Sequence, residues 1–285
     1  MGVIVSPNLV LPAIVSGVEV TNDNPLVGWR NIVTASSLSA TSEDLSFPVT
    51  NLANPSSALY WKGIAGSNTQ FLTVDFSGLS DGTDPVDYLA IAGHNFGSGQ
   101  FSLQVEGATQ TDSAEGFDWE PLSEEIVPGD DSPLLFRFTS NTFLQMRLVI
   151  TPLNDTVAPR CAVLQIGRLT ILERRIYVGH KPITFNTKAN IVTGRSELGH
   201  FLGRVVLSEM SETQIELDHI TPIFYRTEME PWRQHAIEKP FFFAWRPGSY
   251  PYEVGYCWAM SDMQVQNQRS TGFMQVSLTV QGITR

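Results

Sequence analysis

A mostly β, two-domain fold is what the sequence predicts, and three observations carry that prediction. Val, Thr, Ile and Phe recur in short apolar runs punctuated by 22 Gly and 17 Pro, a texture of strands and turns. Several runs alternate with a period of two, as a half-buried strand requires. A length of 285 residues exceeds the ~100–200 usual for one domain, so two are expected.

Taken in order, residues 1–30 read as an extended, proline-interrupted arm ending near Asn22-Asp23-Asn24-Pro25. It either caps its own domain or adds a strand to a neighbouring subunit. A short apolar strand at Asn31–Ala35, a polar loop at Ser36–Asp44 and the segment Phe47–Leu52 precede Trp61. Gln70–Phe76 alternates, with Leu72, Val74 and Phe76 on one side. Val86–Ala92 is nearly all apolar, which suits a strand covered on both faces, and it ends at Gly93-His94-Asn95. Phe101–Val105 alternates again. An acidic loop, Thr111–Ser132, carries Trp119. Leu134–Phe138, Phe143–Ile150 and Cys161–Leu172 then read as strands. Roughly eight strands with irregular loops predict a jelly-roll-like sandwich over residues 31–172.

Composition turns basic around Glu173–Lys181, where the second domain, 173–285, is expected to begin. It reads as strands at Ile183–Phe185, Val205–Leu207 and Thr213–His219, with a Gly-rich polar stretch before Val205. Thr221-Pro222 signals a helix over about 222–238, Thr as N-cap and Pro at the first position, with Pro231 kinking or restarting it. Phe241–Trp245, Val254–Met260 and Phe273–Gly282 follow as strands.

The net charge of −11 is uneven: residues 1–172 hold 18 acidic and 6 basic side chains, residues 173–285 hold 11 and 12. Such acidity argues against a nucleic-acid partner. Cys161 and Cys257 sit in no metal or redox motif and read as reduced and buried. The apolar start lacks Lys or Arg, and Pro7 and Pro12 interrupt it, so neither a signal peptide nor a membrane anchor is expected. The five histidines show no metal spacing, no P-loop or G-x-S-x-G occurs, and the carboxylates of 116–131 crowd a loop too mobile in character for glycoside hydrolysis. No cofactor and no enzymatic activity are expected.

The order SFPVTNLANP…W, FLTVDFSG, DYLAIAGHNFGSGQFSLQVEG, FLQMRLVIT and AVLQIGRLTIL resembles a galactose-binding-like (discoidin-type) β-sandwich. Its GHN strand end and scarcity of Cys resemble the versions in tail proteins of tailed bacteriophages. The second part, with one helix before FFFAWRPGSYPYEVGYCWAM, is similar to the β-barrel-like domains of phage distal-tail and baseplate proteins. The resemblance implies a structural virion protein, made in the host cytoplasm and carried in the tail. It would assemble with other tail or baseplate proteins as a homo-oligomer, trimer or hexamer. The alternative is a lectin-like module recognising bacterial polysaccharide. In that fold ligands bind at the loop end, which makes Tyr60, Trp61, His94 and Asn95 candidate glycan contacts, although Trp61 also stands where the family places a core Trp. Phe242, Trp245 and Trp258 are the candidate assembly surface. A strand through Phe241–Phe243 points side chains both ways, so at least one must leave its own core or meet a second layer.

Overall fold

The computed structural model describes every residue except 1, 13, 16, 17, 80–83, 112–115, 177, 178, 269–271 and 285. The fold is mostly β, as expected, and is built in four layers. The outermost is a five-stranded antiparallel sheet in the order Trp119–Pro121, Phe101–Ala108, Gln145–Pro152, Gln70–Asp75, Leu38–Ala40. Against it lies a four-stranded sheet ordered Val3–Val5, Leu134–Asn141, Val86–Ala92, Val163–Gly167. Its first strand runs parallel to the second; the other pairs are antiparallel. These two sheets form the sandwich. Alternation fills its core, Leu72 and Val74 from one sheet meeting Leu89, Ile91, Phe136 and Leu164 from the other.

The third layer is an eight-stranded sheet. It runs Thr170–Ile171, Leu26–Gly28, Phe241–Ala244, Val254–Ala259, Met274–Ile283, Phe201–Ile220, Thr187–Arg195, with Gln264–Asn267 also on Met274–Ile283. The expected barrel-like domain is thus an open sheet, whose edge strands do not meet. The helical segment 222–238 covers its far face as the fourth layer, burying Phe224, Met229 and Trp232 against Phe241, Phe243, Ile215 and Leu217. Thr221 caps the helix, its hydroxyl accepting from the Phe224 N–H at 3.3 Å. The Thr221 N–H and hydroxyl are themselves held by the buried Glu173 carboxylate. Ahead of Pro231 the turns widen to a π-helix over Tyr225–Met229, and an α-helix restarts at Glu230–Glu238.

Two sequence features now have one explanation. The sandwich's four-stranded sheet is covered on both sides, by its partner sheet and by the third layer. Val86–Ala92 therefore alternates between two cores: Leu89 and Ile91 point into the sandwich, Tyr88, Ala90 and Ala92 toward the second domain. Phe242 meets them there with Ala244, Val254 and Tyr256, while Phe241 and Phe243 face the helix. Close approach is helped at Gly28, where a Cβ would come within 2.9 Å of the Tyr88 ring. Polar links cross the same joint: Tyr88 Oη donates to the Arg30 carbonyl at 2.7 Å and Tyr256 Oη to that of Pro55 at 2.7 Å, while Arg246 pairs with Asp23 at 2.7 Å beyond the ends of two neighbouring third-layer strands.

Two pieces of the N-terminal arm are strands of these layers. Val3–Val5 joins the sandwich and Leu26–Gly28 joins the third layer. Other departures are local. Asn31–Ala35 is no strand, whereas Leu38–Ala40 is, Val49–Ala53 and Ile183–Phe185 are 3-10 turns, and Cys161–Leu172 splits, its end Thr170–Ile171 crossing to the third layer. The stretches read as Val205–Leu207 and Thr213–His219 form one strand, Phe201–Ile220.

Candidate binding and assembly surfaces

The four candidate glycan contacts gather at one end of the sandwich, but most are consumed by the fold. Trp61 is fully buried in the sandwich core, its indole N–H donating to the Ser42 carbonyl at 3.0 Å. His94 is buried too. Its Nδ1 accepts from the Phe96 N–H at 3.3 Å, which leaves Nε2 to donate to the Ser132 carbonyl at 2.9 Å. Burial pushes its pKa down to about 4. The Asn95 amide staples two segments, donating to the Ala158 carbonyl at 2.9 Å and accepting from the Arg160 N–H at 2.8 Å. Tyr60 alone presents part of a ring. It stacks on half-buried Phe47 with centroids 4.5 Å apart, 11° from parallel. Lys62 lies 5.7 Å from the Phe47 ring and Arg160 5.9 Å from that of Tyr60. Pairing of Lys62 with Arg160 across the small Trp61–Lys62/Arg160–Cys161 ladder places both cations beside the stack.

The candidate assembly residues are corrected by the same logic. Phe242 is fully buried, because the sandwich supplies the second layer its strand needs. Trp245 is buried, its indole N–H bonded to the Glu253 carboxylate and its ring stacked on Tyr250 at 5.4 Å and 7°. Trp258 is half-buried on Val254–Ala259. Phe242 and Trp245 offer no open aromatic face, whereas Trp258 keeps part of its side chain exposed.

An open apolar surface does exist, spanning the Gly-rich polar stretch and the expected strand Val205–Leu207. Above Ser211, Phe201–Ile220 leaves the sheet and pairs with Thr187–Arg195 alone, as a two-stranded ribbon exposed along its length. Its turn is closed by the Ser196 N–H to the His200 carbonyl at 2.9 Å, with Gly199 at φ +80°. Val192 pairs across with Val205, and Ile191 with Val206. Successive positions point to opposite faces, so both faces of the ribbon are apolar. Leu198, Phe201, Leu202, Val205 and Leu207 are each 61–86% exposed. The signal was present as Ile191-Val192-Thr193 and Val205-Val206-Leu207 flanking a Gly-containing turn.

Two clefts lie elsewhere. A polar one of about 870 Å³ sits at the ribbon's base, lined by Glu19, Arg174, His180, Glu212 and Asp218 among others. The second, about 690 Å³, runs between sandwich and helix, lined by Val10, Pro12, Asp87, Phe138, Leu169 and Phe224 among others. Among the described residues no three His, Cys, Asp or Glu side chains converge to hold a metal.

No family model matches the chain and no curated protein matches it. Solved structures are similar to about half of this chain. A chitosan-binding module of a Paenibacillus sp. IK-5 chitosanase/glucanase is 16% identical with a TM-score of 0.39, over 48% of this chain and 98% of that one. CpGH89CBM32-5 of Clostridium perfringens, in complex with GalNAc-β-1,3-galactose, is 12% identical with a TM-score of 0.38, over 48% and 99%. A Ruminococcus gnavus GH29 fucosidase is 16% identical with a TM-score of 0.38, over 50% of this chain and 27% of the enzyme.

Proposed function

We propose that the chain is a non-catalytic assembly protein, a building block of a larger particle of the phage tail-tip or baseplate kind. The observation that carries this reading is the ribbon of residues 187–211. A lone two-stranded hairpin is marginal in water, and apolar side chains on both its faces are a liability on a soluble monomer. Cover from a neighbouring subunit removes both problems. The particle type rests on the sequence resemblance. Light scattering on the full chain tests the reading. A defined oligomer is expected, and replacing residues 189–209 by a short Gly-Ser turn reduces it to a monomer. A native chain that stays monomeric at tens of micromolar would sink the proposal.

A second reading gives the sandwich a glycan ligand, and the Phe47–Tyr60 stack favours it. An aromatic face packs against a sugar ring, and the flanking Lys62 and Arg160 suit an acidic polysaccharide. Chitosan, a cationic polysaccharide, and pectin, an acidic one, each named for a solved module similar to part of this chain, supply the test. On this reading the chain retards in a gel containing pectin and not in one containing chitosan, and Tyr60→Ala abolishes the retardation. Equal retardation of the variant would remove the stack from consideration.

A further inference from the structure

The structure assigns a binding site for a small organic carboxylate to the cleft between sandwich and helix, with the Arg137 guanidinium as the group that receives it. The inference goes beyond both readings above and needs neither the ribbon nor the Phe47–Tyr60 stack.

Strand alternation puts this cation indoors. In Leu134–Asn141, the side chains of Leu134, Phe136 and Phe138 fill the sandwich core. Leu135 and Arg137 therefore point the other way, toward the second domain. Leu135 joins the apolar cluster there, whereas Arg137 reaches the cleft. Only 4% of Arg137 is exposed. Among the described residues its guanidinium nonetheless has no hydrogen-bond acceptor and no carboxylate within ion-pair distance; Asp87 acts on it only through space. Five N–H donors in a fixed plane are thus withdrawn from bulk water without a partner, which is far costlier than burying a paired charge.

The charges lining the cleft balance as a sum but not as pairs. Glu228 is taken by Arg30 at 2.8 Å. Asp87 turns its Oδ1 to the Leu169 N–H at 2.7 Å. Arg137 and exposed Arg168 then face Asp87 alone, one positive charge over. Water in the cleft satisfies donors but brings no charge. A carboxylate brings one negative charge and two coplanar oxygens, which the guanidinium fork matches. A phosphoryl group brings about −1.5 to −2, and the excess would meet Asp87 and Glu228. The organic part of the ligand has its own wall: Leu9 and Leu11, half-buried, and Val10 and Pro12, exposed, line the same cleft. Its volume of about 690 Å³ lies within the ~300–1,000 Å³ usual for small-molecule sites.

Thermal unfolding of the full native chain tests this in sodium hexanoate, in neutral hexanamide and in sodium phosphate, at matched ionic strength. Hexanoate should raise the midpoint saturably, because a ligand held only by the folded state stabilises it; hexanamide and phosphate should not. Arg137→Met removes the unpaired charge and should leave the ligand-free midpoint unchanged or higher. Its affinity for hexanoate should fall at least roughly tenfold. Val10→Asp, a change at a position 70% exposed on the rim, should also weaken hexanoate by setting a like charge beside it. No shift with hexanoate, or an equal shift with hexanamide, would overturn the site, and an equal shift with phosphate would overturn the carboxylate as its ligand. Unchanged affinity in Arg137→Met, or in Val10→Asp where Arg137→Met does not fold, would also overturn the site. None of these failures touches the assembly reading, which light scattering decides.

Discussion

Removing the Phe242 ring would open a cavity between two sheets, since Tyr88, Val254 and Tyr256 surround it and no solvent face lies beside it. Phe242→Ala should therefore cost about 3–5 kcal/mol, seen as a lower urea midpoint, with no change in oligomer mass at low denaturant. A change in mass with stability intact would restore Phe242 as an interface residue. Two other side chains, buried His94 and half-buried Asp87, set opposing pH dependences. His94, with its pKa lowered by burial to about 4, resists protonation in the fold while the unfolded chain takes up a proton near 6.5. Its contribution to stability falls as pH drops from 6.5 toward 4, on the order of 3 kcal/mol in full. Asp87 goes the other way. Burial raises its carboxyl to about 6, against favourable effects of the Leu169 N–H and of Arg137, Arg168 and Arg30. The unfolded chain ionises first, so that contribution falls as pH rises from 3.8 to 6. The two slopes oppose each other between pH 4 and 6. Asp87→Asn should steepen the rise of unfolding free energy with pH in that window. Parallel curves for variant and native chain would show that Asp87 has no such role.

Helix and ribbon differ in how much of each was legible. Thr221-Pro222 marked the helix start because capping chemistry is local: one hydroxyl, one absent N–H, one turn. Glu173, which holds Thr221 from 48 residues away, left no such mark. Thr221→Ala should thus cost about 2 kcal/mol, the upper end for a cap, because it also strips a partner from a buried carboxylate. Thr221→Ser should recover most of it in thermal unfolding. Of the ribbon only Val205–Leu207 was legible as a strand, because Gly194, Gly199 and Gly203 suggested a loop before it, and strand pairing is set by a partner rather than by the run itself. Trp61 was legible as core or contact, and burial decides for core. Phe242 was legible only as a side chain needing a second layer. That the layer is the sandwich depends on packing between distant segments. Amides of residues 189–209 should exchange quickly in a monomeric variant and slowly in the native oligomer. Equal exchange in both would place the contact elsewhere.

Across the whole molecule, the two parts are interlocked rather than strung together. The third layer takes Leu26–Gly28 and Thr170–Ile171 from outside residues 173–285, and the face holding Phe242 and Tyr256 is covered by the sandwich. A single cooperative transition is expected in calorimetry, with calorimetric and van't Hoff enthalpies equal. Residues 173–285 expressed alone should aggregate, with or without the ribbon, because they lack two strands and bare an apolar sheet face. Two resolved transitions, or a soluble folded fragment, would show that the joint is weaker than its packing suggests.

The pairing of Leu26–Gly28 with Phe242–Ala244 also has a consequence for synthesis on the ribosome. The first of these strands emerges more than two hundred residues before its partner, a wait of roughly 10–40 s at ordinary elongation rates. Val3–Val5 waits in the same way for Leu134–Asn141. Over that interval Leu26–Gly28 has only Thr170–Ile171 to pair with, once that strand has emerged, and the third layer can close only after Met274–Ile283 has been made.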